Sequence, residues 1–213
     1  YAGGYELHCQ LVVNALQMRG HRVQVLTSDH LVKGVSANTE PHVTRALKIH
    51  GLFGHPFLNI LRLEQLERHN NETLITEIER HRPDLVFVWA FSGLSKSMLH
   101  TLQRINLPAA FAVCDHWIAR SQQADVWLNW WNRPDGSIPS KVLRQFWNIT
   151  GKRRQLDQIA PTRPLSEFRF KRLYFCSRAL WEFTQAAGFP VSHGEVIYCP
   201  LDSKRFKGTV KRA

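Results

Sequence analysis

The sequence predicts an α/β protein whose parallel sheet is flanked by helices. Three observations support this. Short apolar runs alternate along the chain with longer segments of helical periodicity, in β-α-β-α order. The runs at 85–89 and 109–114 are unbroken and uncharged, as in strands that a parallel sheet buries on both faces. Gly20, Pro83, Pro108 and Gly188 punctuate the junctions that lead from helix to strand. Sequential parallel strands of this kind imply right-handed crossovers.

The elements follow in order. Residues 4–19 read as a helix, with Leu7, Leu11, Ala15 and Leu16 at helical spacing and Val12 beside them. Gly20 stops it, and residues 23–27 read as a buried strand. Residues 43–49 form a short edge strand, and the Gly, His and Pro content of 51–56 marks a loop. A helix is expected over 58–81, with Leu63, Leu66, Leu74, Ile75 and Ile78 as its apolar positions and Asn70-Asn71 as a point of interruption. Strand 85–89, helix 94–105 and strand 109–114 come next. Residues 119–168 break the rhythm; they hold Trp127, Trp130, Trp131 and Trp147, four of the seven tryptophans, with weak helical character over 140–149. The alternation resumes with strand 173–176, helix 179–187 and a short strand at 196–199.

A chain of 213 residues with 44% hydrophobic content can build a sizeable core, which argues against disorder. It contains no run of eighteen apolar residues and hence no sign of a membrane-spanning helix. Lysine and arginine total 28 against 17 acidic residues, a net charge of +11. That balance favours anionic partners: phosphorylated substrates, lipid headgroups or nucleic acid. The basic groups at Lys152-Arg153-Arg154, Arg169-Lys171-Arg172 and Lys204-Arg205-Lys207 are dispersed and match no nucleic-acid-binding motif, so a nucleic-acid partner is disfavoured. The absence of G-x-G-x-x-G argues against a dehydrogenase. Cys9, Cys114, Cys176 and Cys199 form no C-x-x-C pair and no zinc-like spacing. The last three end β-like runs and read as small buried hydrophobes in a reducing compartment. The Asn-x-Thr triplets at Asn71 and Asn148 read as chance.

Gly3-Gly4 ahead of the first helix suits a loop that brings backbone N–H groups to a phosphate or sugar, or a tight turn that merely admits the helix. Glu6 and His8 lie in the first turns, two apart and so on different faces. Asp115 and His116 follow the strand at 109–114, on the carboxyl edge where open α/β sheets bind ligands. Ser92 and Gly93 follow strand 85–89 at the same edge.

Four segments carry a resemblance. They are Gly3-Gly4-Tyr5-Glu6-Leu7-His8 with Arg19-Gly20-His21-Arg22-Val23; Pro83-Asp84-Leu85-Val86; Cys114-Asp115-His116; and the stretch from Ser177 through Glu182 and Gly188 to Val196-Ile197-Tyr198-Cys199-Pro200-Leu201-Asp202 and Phe206. Together they resemble the N-terminal domain of a family 4 retaining glycosyltransferase of the two-domain GT-B fold. Where the family's last motif usually reads Asn-Gly-Val-Asp, this chain has Cys199-Pro200-Leu201-Asp202.

The resemblance implies a Rossmann-like, acceptor-side domain over 1–206, with the tryptophan-rich segment as a helical insertion and 207–213 as linker or tail. It also implies a first strand upstream of Tyr1 and a donor-binding domain downstream, without which residues 1–213 alone transfer nothing. The activity implied is retaining hexosyl transfer from a nucleotide sugar to a glycan or lipid-linked acceptor, in the cytoplasm or at the inner face of the membrane. Gly3 and Gly4 would lie near the donor diphosphate. His116 would meet the donor sugar, with Asp115 contacting an acceptor or orienting His116. Glu6, His8, Ser92 and Gly93 would line the substrate site. No metal or cofactor is expected beyond the nucleotide-sugar donor. The tryptophans would fill the insertion, stack on an acceptor sugar, or dock with nearby arginines on an anionic membrane surface. Rival readings are a GT-B sugar-nucleotide epimerase, a basic nucleic-acid-binding module and a non-catalytic partner. A packed histidine with a satisfied nitrogen is the plain alternative for His116.

Overall fold

The computed structural model describes residues 4–31 and 40–199. Its architecture is α/β, with parallel strands flanked by helices and a tryptophan-rich helical cluster. Helix α1 spans Gly4–Met18 and leads to β1, Val25–Ser28. Strand β2, Val43–Leu47, pairs with β1 in parallel. Helix α2, Ile60–His81, precedes β3, Val86–Val88. Helix α3, Ser97–Arg104, precedes β4, Ala109–Val113. Four short helices then form the insertion: α4, Ser121–Ala124; α5, Val126–Asn132; α6, Ile138–Ile149; and α7, Lys152–Ile159. A single 3-10 turn leads to β5, Leu173–Phe175, followed by α8, Arg178–Ala186, and β6, Glu195–Val196.

Strands β3, β4, β5 and β6 form one parallel sheet in that order, while β1 and β2 form a separate pair. The expectation of one sheet is therefore corrected: among the described residues β1 is bonded only to β2, and β3 only to β4. The consequence shows in burial. Phe87 and Leu85 are exposed, and none of the four residues of β1 is buried. Neither strand is covered on both faces, as the unbroken apolar runs had suggested. Strand β4, flanked on both sides, buries four of its five residues. Phe111, Val113, Leu173 and Phe175 form the centre of the core with Met98 and Leu99 of α3.

Helix α2 runs unbroken through Asn70-Asn71, against expectation. Both side chains are buried and hydrogen-bonded to partners that leave the helix unbroken. Asn70 brackets Lys48 just past β2, accepting its N–H and donating to its carbonyl, each at 2.8 Å. Asn71 donates to the Glu67 carbonyl and to the Ser97 hydroxyl, both at 2.9 Å, and accepts from Thr101 at 2.6 Å. Ser97 donates to the Glu67 carboxylate at 2.7 Å. The inward face of α2 is thus largely polar, with Leu63 its only buried apolar residue. Burial pushes the Glu67 carboxyl up to about 8, the nearby Asp125 adding to the effect.

Asp125 ties the insertion to the sheet layer. One carboxylate oxygen caps α5 through Leu128 N–H at 2.9 Å, and the other accepts Lys96 N–H ahead of α3 at 2.8 Å. The tryptophans pack on one another: Trp130 and Trp131 centroids lie 4.7 Å apart, and Trp131 and Trp147 5.6 Å apart. Arg144, Lys152 and Arg153 lie over Trp130, Trp147 and Trp131 at 5.9, 4.5 and 5.2 Å. Trp127, Trp131 and Trp147 are buried, so stacking on an acceptor sugar is corrected for these three: they are core. The outward face of α6 instead carries Ile138, Val142, Phe146 and Ile149, at 78, 61, 58 and 77% exposure.

Candidate functional site

The carboxyl ends of β3, β4 and β5 and the start of α1 meet at one edge, and Tyr5 makes the connection. Its hydroxyl donates to the carbonyl of Trp89, just past β3, with the Ala112 carbonyl of β4 3.0 Å away. Cys114 N–H donates back to the same oxygen at 3.4 Å. Trp89 Nε1 in turn donates to the Tyr5 carbonyl at 3.1 Å. Burial, with the Cys114 thiol and Asp115 nearby, pushes the Tyr5 phenol far up and keeps it a neutral donor. The sequence reading passed over Tyr5; an aromatic polar residue directly behind a glycine pair was the available signal.

The expected site residues divide into two groups. Ser92 and Asp115 come together, the Ser92 hydroxyl donating to one carboxylate oxygen at 3.1 Å. The other oxygen accepts Trp117 N–H at 2.9 Å, which shapes the turn after β4. Neither of these bonds reaches His116, so the expectation that Asp115 orients His116 is corrected. His116 packs edge-on against Phe183 of α8, centroids 4.6 Å apart, and its Nδ1 is buried without a hydrogen-bond partner. The satisfied nitrogen of the plain alternative is therefore not found at Nδ1.

His8 stacks edge-on with Trp89 at 4.8 Å. Its Nδ1 is also buried and unpartnered, and burial lowers its proton affinity. Glu6 is exposed on the first turn of α1. Gly4 opens α1, and a Cβ there would meet nothing within 4 Å, so no contact within the described residues requires glycine. Gly93 does need its identity, because its φ is +76°; a Cβ there would meet Ile49 and Leu52 at an ordinary contact distance of 3.4 Å. Its role is to pack the turn after β3 against the 49–52 segment. Gly3, Pro200, Leu201, Asp202, Phe206 and residues 207–213 lie outside the described residues.

The cysteines correct another expectation. None of the four is buried; Cys9, Cys114 and Cys176 are half-buried and Cys199 is exposed. The register pairs Val113 with Phe175 and Phe175 with Val196, so the residues that follow β4, β5 and β6 converge. Burial, then the Cys176 and Cys199 thiols, push the Cys114 thiol up. Burial also raises Cys176.

Two hollows, of about 640 and 320 Å³, open elsewhere, one between 166–170 and Pro190–His193 and one beside α5. No expected site residue lines either. No family model matches the chain, and neither a curated protein nor a solved structure is significantly similar to it. The fold class therefore rests on the geometry itself.

Proposed function

We propose that the chain is the acceptor-side domain of a retaining glycosyltransferase of the GT-B type, moving a hexose from a nucleotide sugar to a glycan or lipid-linked acceptor. The observation that carries this reading is the joining of the start of α1 to the turn after β4 through Tyr5, at the carboxyl edge of a parallel sheet. Breaking a sugar–phosphate bond builds positive character on the sugar and negative charge on the departing phosphate. The first turn of α1 offers unpaired N–H groups toward such an anion. His116 stands half-buried at the same edge, and its imidazole is the hydrogen-bonding side chain for a sugar hydroxyl there. Asp115, held by Ser92 and Trp117 N–H, presents an acceptor of fixed orientation to an incoming hydroxyl. The diphosphate-neutralising groups belong to the second domain of such an enzyme.

The outer face of α6 supports action at a membrane surface. Ile138, Val142, Phe146 and Ile149 fall on about a quarter of the helix circumference, with exposed Lys141 on the same helix and exposed Arg154 just beyond it. An apolar stripe with basic neighbours suits the interface of an anionic bilayer. Among the described residues no helix is long and apolar enough to cross a membrane.

The test is a panel of nucleotide sugars offered with glycan and lipid-linked acceptors to the protein that carries this chain. The expected result is transfer with retained anomeric configuration. His116→Ala lowers kcat by about a hundredfold while folding as before. No transfer with any donor, or an unaltered rate in His116→Ala, removes the reading. Co-sedimentation with vesicles tests the membrane part, which fails if binding does not depend on anionic lipid.

A further inference from the structure

His8, Cys114 and Cys199 come from three separate elements, yet their ligand-capable atoms all lie within 4.8 Å of one another. We propose that these three residues form a binding site for a thiophilic divalent cation of the zinc type. Zinc holds sulfur at about 2.3 Å and imidazole nitrogen at about 2.0 Å, which sets neighbouring ligand atoms about 3.3 to 3.8 Å apart in a tetrahedron. The cluster is therefore about one ångström from a closed face of that tetrahedron, a gap that side-chain rotation spans.

The donor set selects the ion. Two sulfurs and one imidazole suit zinc and its soft neighbours, whereas magnesium and calcium require oxygen ligands. His8 enters with its Nδ1 buried and unpartnered, its ring fixed against Trp89. Cys176 stands against Cys114 on the next strand and adds a third sulfur to the wall of the site. On binding, each ligating thiol gives its proton to solvent and each thiolate donates an electron pair to the cation. No bond between protein atoms forms or breaks.

The position gives the site a purpose within the fold. Helix α1 contributes no buried residue and is fastened by the Tyr5 and Trp89 hydrogen bonds. A cation held by His8, Cys114 and Cys199 would add a second fastening, from α1 to the end of β4 and to the segment past β6. The cation site shares His8 with the proposed sugar site but is read out separately, by metal spectroscopy and not by transfer, so either reading can fail while the other stands.

The experiment uses the full 213-residue chain, stripped with chelator, kept reduced with a phosphine and titrated with Co²⁺ and then Zn²⁺. The expected result is the intense visible absorption of tetrahedral thiolate-bound cobalt, saturating at one equivalent and displaced by zinc. Cys114→Ser, Cys199→Ser and His8→Ala each weaken binding at least tenfold, and Cys9→Ser leaves it unchanged. Zinc slows amide exchange in α1 in the native chain and not in His8→Ala. Because no residue of α1 is fully buried, His8→Ala keeps the test decisive where a cysteine variant misfolds. The proposal is overturned if fully reduced protein gives no tetrahedral thiolate spectrum, or if the spectrum survives intact in both Cys114→Ser and His8→Ala.

Discussion

The β3–β6 sheet with its helical insertion and the α1–β1–β2 region are held together by different physics. In the first, Phe111, Phe175, Leu99 and Trp127 are all but inaccessible to solvent. In the second, α1 and β1 bury nothing fully, and Leu7 of α1 is 40% exposed. The first region depends on apolar area and close packing. In the second, Leu47 of β2 reaches the core with Leu26 of β1 packed against it, while α1 depends on a few directed polar contacts around Tyr5 and Trp89. A region fastened by few contacts opens locally at lower free energy than the core. It is also the region that carries Gly4, Glu6 and His8, so the side of the site offered by α1 is the adjustable one and the Asp115–His116 side the fixed one.

The comparison can be broken most forcefully at Trp127, which is fully buried and donates to the Pro161 carbonyl at 3.0 Å. Trp127→Ala is expected to cost about 4 kcal/mol, read as a lower denaturant midpoint. Equal loss of amide protection in α1 and β4 would show that the two regions unfold as one unit.

Glu67 sharpens the contrast through pH. Its carboxyl is raised from about 4.5 to about 8 in the fold. Below the lower value it is neutral in both states, and its contribution to stability is fully present. As pH rises, the unfolded chain ionises first, and the contribution is lost through the folded value. Stability should therefore fall between about pH 4.5 and 8. Glu67→Gln should flatten that decline in parallel denaturation series; an unchanged slope would count against a neutral buried carboxyl.

Tyr5→Phe removes the hydroxyl that joins α1 to β3 and β4 and should cost about 1 kcal/mol. Amide exchange is expected to quicken in α1 while β4 and β5 stay protected. The smallest effect is expected at Leu7, where exposure leaves little to lose: Leu7→Ala should change stability by less than about 1 kcal/mol. A larger loss would mean that α1 is more deeply packed than its exposure indicates.

The succession of helices and strands could be read from periodicity alone. Ile60–His81, Ala109–Val113, Leu173–Phe175 and Arg178–Ala186 all fall within a residue or two of expectation, because local spacing of apolar residues decides which face can be buried. Asn70-Asn71 misled for the same local reason: as a pair they resemble a helix breaker, and only their partners just past β2, on α2 and on α3 show why the helix continues. Asp115 and Ser92 were placed correctly at the strand ends, since a parallel sheet puts all its carboxyl ends on one edge. Their hydrogen bond to each other could not be read from the sequence.

By itself, then, the sequence determined the α/β class, the parallel order of the elements and the edge on which Ser92, Asp115 and His116 sit. Each of these follows from residue spacing along the chain. Only the tertiary structure decided that β1–β2 and β3–β6 form separate sheets, that Trp127, Trp131 and Trp147 are core, and that His8, Cys114 and Cys199 meet. Those outcomes depend on contacts between residues up to 191 positions apart, the span from His8 to Cys199, and no local pattern encodes which distant side chains will share a space.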